Sequence, residues 1–463
     1  MRSNVARVTL VVASITALAG GLRLWGLGQP ERKIFDELYY ASDACLYAGI
    51  PYRRCGLEDE GERSWVHPPL GKALIALGVE GFGNRPLGWR VAAAAAGTAT
   101  VGLAGVLAYL LWRRALWAGV AAGLVAVEPL QFVQSRIAML DIFLAFFVVL
   151  GFVLLVADRR RQEARAGAPG EDGEGPEVGG REASGAGESR LRPLRLAAGA
   201  AFGAAIAVKW SGIFALAGAF ALAFVWGVSL VRRGITRPSS ERIGIPVAMV
   251  LVPLLIYAAA WAPWLAREDR SAGELLGHHR AMADYHLTLD PVEDDGEPIH
   301  PYLSPAWSWL LLARPVAYYW QGDPACCEEI LALGSPVLFW GSLLTIPYLA
   351  MVWWRRRDWR AGAVLVPILA QYLPWLAVTR PLFLFYMTPL TPFLALGGTF
   401  VLRDLAGDRL RDRPAATIAV AAVVVAAVAL FTFFWPVLVG QRLSQAAWGD
   451  RIWFDSPGLF NWV

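Results

Sequence analysis

Charge is scarce in this chain. Asp, Glu, Lys and Arg make up 17% of its 463 residues, against roughly 25% in soluble domains. There are three lysines, Lys33, Lys72 and Lys209, with five histidines and four cysteines. So little charge excludes an ordinary soluble domain. The net charge of +4 is a loop bias rather than a basic surface for nucleic acid, and no RNA- or DNA-binding module is present. No metal-ligand spacing stands out. His278-His279 and His286 are of a ligating type but read as solvated or interfacial histidines. No internal repeat is found, which argues against a transporter built from repeats. No cofactor is expected.

What is abundant is apolar sequence, 56% of the chain with a mean hydropathy of +0.45. It comes in runs near the ~20 residues needed to cross a bilayer as a helix. The fold class expected is an all-α polytopic membrane protein, a single domain over 1–463 with about eleven spans. These fall near 8–27, 91–112, 115–132, 138–157, 195–210, 212–231, 245–265, 336–354, 361–378, 383–402 and 415–437, the weakest being 115–132 and 195–210.

Arginine clusters mark the cytoplasmic connections. Arg113-Arg114, Arg159 to Arg161, Arg232-Arg233, Arg355 to Arg357 and the stretch Arg403 to Arg413 fall in alternate connections. With eleven spans they share one side with the N-terminus, and the C-terminus lies outside. Ala17-Leu18-Ala19 resembles a signal-peptide cleavage site, but cleavage would leave an even span count, so the first span is read as an uncleaved anchor. The Gly-, Glu-, Ala- and Ser-rich stretch 158–194 reads as a disordered cytoplasmic linker. Two long connections, 28–90 and 266–335, are placed outside. They hold all five histidines and all four cysteines, and in that compartment disulfides persist. Cys45–Cys55 closing a small loop and free thiols both stay open.

The first outer connection opens with Ile34-Phe35-Asp36-Glu37-Leu38-Tyr39-Tyr40. A carboxylate here is near the bilayer yet outside the hydrocarbon, where ionisation is costly. A helix over about Phe35 to Tyr47 would put Asp36, Tyr40 and Asp43 on one face. The plainer reading of Asp36-Glu37 is a pair complementing a helix N-terminus. In His67-Pro68-Pro69-Leu70-Gly71-Lys72 the prolines fix an extended approach and a helix start. That start could attract phosphate, and Lys72 itself reads as a snorkelling or solvated lysine. Arg136 sits between two spans on the side arginines avoid, where a guanidinium suits a phosphate. Asp141 is about a turn deeper. A structural Arg136–Asp141 pair is the alternative, although i, i+5 spacing is poor for contact. Lys209 marks another outer turn. All three lysines are placed outside, and anionic substrate contact is expected of some. The aromatic group Trp307, Trp309, Tyr318, Tyr319 and Trp320 reads as an interfacial belt or a sugar platform.

Taken in order, these segments resemble the bacterial, actinobacterial-type protein O-mannosyltransferases. The motifs are Phe35-Asp36-Glu37, His67 to Lys72, Ser135-Arg136-Ile137-Ala138-Met139-Leu140-Asp141, Lys209-Trp210-Ser211-Gly212, His300-Pro301-Tyr302, Trp307-Ser308-Trp309, Arg314 to Trp320, and Arg380-Pro381-Leu382-Phe383-Leu384-Phe385-Tyr386. The resemblance runs over essentially the whole chain. It implies a GT-C glycosyltransferase fold with an extracytoplasmic site, a polyprenyl-phosphate-mannose donor, and Ser or Thr hydroxyls of secreted or translocating proteins as acceptors. It places the family's Asp-Glu motif on Asp36 and Glu37 and its donor-phosphate arginine on Arg136. Connection 266–335 is too short for the β-trefoil MIR domain of eukaryotic members.

On this reading Asp36 is the general base of a single inverting displacement, and Glu37 binds the acceptor or orients the site. Arg136 neutralises the donor phosphate, with Lys209, Tyr386 and Arg380 as further contacts to it. His67, Lys72, Asp141, His300 and Tyr302 are further site candidates. The membrane lipid and the translocation machinery are candidate partners. The competing readings are a GT-C transferase acting on a lipid or glycan and, lower, a membrane transporter.

Overall fold

A computed structural model describes residues 2–462 except 60, 168–190, 267–269, 294, 295, 297, 324, 408–413, 456, 457 and 459. Eighteen helices form its described frame. The first half holds α1 (Arg2–Leu24), α2 (Glu37–Tyr47), α3 (Leu70–Phe82), α4 (Pro86–Trp112), α5 (Ala115–Ala126), α6 (Pro129–Gln134), α7 (Leu140–Arg165), α8 (Pro193–Val208) and α9 (Gly212–Arg232). The second holds α10 (Pro238–Pro246), α11 (Val252–Ala260), α12 (Ala262–Leu265), α13 (Ala272–Thr288), α14 (Pro336–Arg356), α15 (Trp359–Tyr372), α16 (Thr391–Ala406), α17 (Pro414–Val439) and α18 (Gln445–Gly449).

Each of the eleven apolar segments expected from sequence falls on a helix. Among the described residues eight helices are long and apolar enough to cross a membrane, and α5 and α8 are shorter apolar helices. The differences in length have local causes. The segment 115–132 breaks after α5 because the Glu128 carboxylate accepts from the Gln131 amide and Pro129 opens α6, the position where a proline costs no hydrogen bond. The segment 361–378 leaves the α-helix at Leu373, just before Pro374, and continues as a 3-10 turn. The segment 383–402 begins as a 3-10 helix over Leu384–Leu390 that contains Pro389. Helix α7 runs on to Arg165, so 158–165 is helix rather than linker. Most of the expected linker, 168–190, lies outside the described residues.

The all-α expectation needs one correction. Strand β1 (Val316–Asp323) pairs antiparallel with β2 (Cys326–Ala332), and β2 pairs with the short β3 (Leu443–Ser444). Val316-Ala317-Tyr318-Tyr319-Trp320 is β-branched and aromatic, the composition that suits a pleated surface. Its register places Val316 opposite Ala332 and Asp323 opposite Cys326. Around it the 266–335 connection holds α13 and a 3-10 turn over Ala306–Leu311. The 28–90 connection holds α2, a 3-10 turn over Tyr52–Cys55, and α3. Cys45 and Cys55 form a disulfide, whereas Cys326 and Cys327 are free and buried.

One apolar core cluster runs from Ala19 in α1 to Trp462 near the C-terminus. Gly71 sets the geometry that matters for the site. A Cβ there would lie 2.6 Å from Leu140 Cδ2 and 3.3 Å from Val208 Cγ1. Without it, the start of α3 closes onto the start of α7 and the end of α8, and His67, Asp141 and Lys209 come to one end of the bundle.

Candidate active site

The backbone fixes Asp36 first. Phe35 has φ +46°, a left-handed conformation uncommon for a bulky residue. Its ring is held by Tyr318 at 4.6 Å, Phe385 at 5.8 Å and His300 at 6.0 Å between centroids. Asp36 follows at the N-cap of α2 but makes no capping hydrogen bond. It engages the Tyr40 hydroxyl one turn on and lies in the field of Lys209 and Asp141. Burial and the neighbouring Asp141 carboxylate push its pKa up to about 6, with Lys209 and the Tyr40 bond opposing. A carboxylate so placed is ionised at neutral pH yet a better base than an ordinary aspartate.

Glu37 is fully buried. Its oxygens pair with Arg90 through two 2.8 Å bonds and accept from the Ile34 and Ala138 amides at 3.1 and 2.9 Å. The Arg90 guanidinium also donates to the carbonyls of Leu27, Gln29, Pro30 and Arg32. With its lone pairs so engaged, Glu37 is not disposed toward an acceptor peptide. It ties the turn before Asp36 to α4 and to the approach of α7.

Asp141, one residue into α7, holds Lys209 Nζ at 3.0 Å from each carboxylate oxygen. The same Nζ lies 4.3 Å from the Tyr386 ring centroid. The expected alternative for Asp141, a pair with Arg136, does not occur. Lys209 then lines a cavity of about 360 Å3 together with His67, Trp210, Ser211, Ile213, Phe214, His286, Leu287, Trp375, Ala377, Val378, Thr379, Arg380 and Tyr386. A second, much smaller cavity, which shares Ser211, Phe214, Trp375 and Tyr386 with the first, is also bordered by Asp141 and Gln371. Arg380 donates from one terminal nitrogen to His286 Nδ1 at 2.5 Å, and its other terminal nitrogen is 3.4 Å from the Tyr386 hydroxyl. Its Nε is buried with no hydrogen-bond partner among the described residues. A cation and a guanidinium with spare donors, in a cavity walled by aromatic rings, suit a phosphorylated sugar.

Several expected contacts are placed elsewhere. Arg136 donates to the carbonyls of Leu22 and Arg23, which the end of α1 leaves without intrahelical partners, and of Trp25 and Gly26 in the turn that follows. It caps α1 and, like Asp36, is not among the residues that line the cavity; unlike Asp36, it has every carbonyl contact turned to α1 and that turn. Lys72 is neither solvated nor at an anion site. It is buried against Glu62 at 2.7 Å, Asp43 at 3.7 Å and the Ser64 carbonyl. Asp43 faces the Arg63 and Ser64 amides. Lys33 is held by Ser42 and the Cys55 carbonyl. His300 packs on Phe35, Tyr302 and Phe383, so with Tyr302 it supports the Asp36 turn from behind. The belt aromatics Trp307 and Trp320 are exposed, Trp309 and Tyr318 are buried, and none of the belt lines the cavity. Its aromatic walls are Trp210, Phe214, Trp375 and Tyr386. His67 does line it, its ring 5.6 Å from that of His286.

Sequence reasoning missed Arg90 and Trp375; it set Tyr40 on one face with Asp36 without pairing them, and it read as solvated or interfacial a histidine, His286, that lines the cavity. Arg90 carried the signal used for Arg136, an arginine on the outer side. The capping box Ser271-x-x-Glu274, present in the structure, would have announced the helix that carries His286.

Comparison with known proteins identifies the family and the fold. The family model for dolichyl-phosphate-mannose-protein mannosyltransferase matches residues 13–168, and that for the C-terminal four-transmembrane region of protein O-mannosyltransferase matches 272–457. The polyprenol-phosphate-mannose–protein mannosyltransferase of Mycobacterium tuberculosis is 33% identical over 96% of this chain and 91% of its own length. That of Corynebacterium glutamicum is 28% identical over 97% and 92%. In fold, the chain is similar to the Saccharomyces cerevisiae Pmt1–Pmt2 complex bound to its sugar donor, with a TM-score of 0.76 and 14% identity over 98% of this chain and 94% of that one. It is also similar to ArnT of Cupriavidus metallidurans bound to undecaprenyl phosphate, with a TM-score of 0.57 and 18% identity over 92% and 65%. The fold is therefore GT-C, and the chain is a multi-pass membrane glycosyltransferase that belongs to the protein O-mannosyltransferase family.

Proposed function

We propose that this chain transfers a mannosyl group from a polyprenyl-phosphate-mannose donor to Ser or Thr hydroxyls of polypeptides at the extracytoplasmic membrane face, by one inverting displacement. The observation that carries this reading is Lys209, which is bound by Asp141, acts on Asp36 and lines the aromatic cavity that also holds Arg380. The acceptor hydroxyl oxygen attacks the anomeric carbon as the bond from that carbon to the phosphate oxygen breaks. The hydroxyl proton passes to Asp36, a step worth about 10²–10⁴-fold when the base is positioned. The departing polyprenyl phosphate takes the electron pair, and Lys209 and Arg380 balance its charge. Tyr386 and Trp375 offer ring faces to the sugar. Glu37 keeps the Asp36 turn in place through Arg90. Arg136 has no direct part.

The test is transfer by purified protein from mannosyl-phospho-polyprenol to a Ser/Thr peptide, with the anomeric configuration of the product read by NMR. Mannosyl peptide with inverted configuration supports the reading. Retention overturns the single displacement, and label found only in lipid or glycan overturns the polypeptide acceptor.

A further inference from the structure

Helix α13 carries three histidines, two of them tied by ring nitrogens to adjacent carbonyls of the first outer connection and the third to its own helix and to Tyr257. His278 Nε2 is 3.1 Å from the Trp65 carbonyl, and His286 Nε2 is 2.9 Å from the Val66 carbonyl. His279 donates from Nδ1 to the Leu275 carbonyl and takes the Tyr257 hydroxyl at Nε2, while Tyr257 itself accepts from Trp210. Of the three, His286 also lines the cavity. Its ring is packed against His67 at 5.6 Å, Trp210 at 5.8 Å and Tyr285 at 5.5 Å between centroids.

The partners of His286 fix its tautomer. A carbonyl only accepts, so Nε2 carries the proton. A guanidinium only donates, so Nδ1, 2.5 Å from the Arg380 terminal nitrogen, carries a lone pair. The imidazole therefore links the backbone of the first outer connection to Arg380 and occupies one of its terminal nitrogens. Arg380 is left with an Nε that has no partner among the described residues and a second terminal nitrogen held only at 3.4 Å by Tyr386. Those two donors are the side-on edge of a guanidinium, which matches two oxygens of a phosphate.

We propose that His286 is the positioning residue for Arg380: as the Nε2–H tautomer it anchors one end of the guanidinium so that the remaining donors face the phosphate of the lipid-linked donor. The inference rests on the reading that Arg380 binds that phosphate. Burial and the neighbouring Arg380 press the His286 pKa down to about 4, so the lone pair stays available across the working pH range. The proposal gives His286 no proton transfer and no contact with the acceptor.

Two amide replacements separate its two bonds. His286→Asn sets an oxygen near the Nδ1 position and keeps an acceptor for Arg380. His286→Gln sets an amide nitrogen near the Nε2 position, keeps a donor for Val66, and loses that acceptor. Steady-state kinetics with mannosyl-phospho-polyprenol and a Ser/Thr peptide should show the donor KM of His286→Gln raised about tenfold, the scale of one lost hydrogen bond to a charged group. The acceptor KM should stay unchanged, and His286→Asn should stay within about threefold of wild type. Arg380→Gln should raise the donor KM at least as far, and the double variant Arg380→Gln/His286→Gln should be no worse than Arg380→Gln alone. Equal damage from Asn and Gln, additive losses in the double variant, or an unchanged donor KM in His286→Gln beside a defective Arg380→Gln would each overturn the positioning role. An unchanged donor KM in Arg380→Gln overturns the phosphate reading beneath it.

Discussion

Lys209 Nζ lies 3.0 Å from both carboxylate oxygens of Asp141, across 68 residues of sequence and next to the Asp36 turn. The pair holds the start of α7 to the end of α8. It also sets a positive charge that acts on Asp36 and opposes the effect of the Asp141 carboxylate there.

That arrangement predicts unequal effects at the two residues. Breaking a buried pair by removing one partner strands the other charge. Asp141→Asn should leave Lys209 free to draw Asp36 into a direct pair, lowering the Asp36 pKa and its strength as a base. Turnover should fall by about 10-fold or more with the donor KM near wild type. Lys209→Met should strand both carboxylates and impair donor KM and turnover together. Equal kinetic profiles for the two variants, measured with purified protein, would refute the assignment.

Asp36 predicts a pH dependence with a definite sign. Its pKa is raised to about 6, and the base works ionised, so transfer should fall as pH drops through about 6 rather than through the ordinary carboxylate range. Stability should move the opposite way. A carboxyl raised in the folded state contributes most when protonated, and that contribution is lost between about pH 4 and pH 6. Asp36→Asn should therefore lose transfer by about 10²–10⁴-fold while gaining thermal stability relative to wild type above pH 6. Activity with an unshifted acid limb near pH 4, or near-normal turnover in Asp36→Asn, would remove Asp36 as the base.

Arg136 predicts a stability defect rather than a donor defect. Its guanidinium spans four carbonyls at the end of α1, and a lysine ammonium offers three donors from one point. Arg136→Lys should lower the midpoint of thermal inactivation by about 2–5 °C, as expected for weakened charge-assisted hydrogen bonds. Its donor KM should stay within twofold of wild type. A raised donor KM at unchanged thermal stability would return the phosphate contact to Arg136.

What the sequence made legible follows the range of the forces involved. The apolar runs were readable because crossing a bilayer imposes length and composition on each segment by itself. Lys209 stood out as a cation placed against the topological bias, Asp36 and Asp141 as ionisable groups at the membrane boundary, and His67 through the prolines that follow it; Arg380 and Tyr386 came only through the family resemblance. Pairing was not readable, because it is long-range. Arg136 stood out as misplaced, but its partners lie over a hundred residues away at Leu22 to Gly26. Glu37 meets Arg90 across 53 residues. Lys72 looked solvated because Glu62, ten residues earlier, showed no sign of folding back onto it. The β1–β2 hairpin was hidden for a different reason. Its aromatic, β-branched sequence also fits a membrane interface, and only the pairing with Cys326–Ala332 decides between them.

The orientation of the chain is open to direct measurement through α7 and α13. Helix α7 carries Asp141 at its first turn and ends at Arg165, so at 1.5 Å per residue its ends stand roughly 40 Å apart. Ala164, exposed near the far end, and Ala281, exposed on α13, should then report opposite sides of the bilayer. On the arginine bias of Arg159 to Arg161 and Arg232-Arg233, the Ala164 end is expected in the cytoplasm. Single cysteines at these positions, in a background with Cys326 and Cys327 replaced by alanine and the Cys45–Cys55 disulfide kept, should differ toward an impermeant thiol reagent on intact cells. Ala281→Cys should label in intact cells, and Ala164→Cys only after permeabilisation. The reverse pattern would set Asp36 and the Lys209 cavity in the cytoplasm, where a base could not meet a polypeptide emerging on the outer face. The proposed acceptor would then be lost even if the chemistry at Asp36 stood.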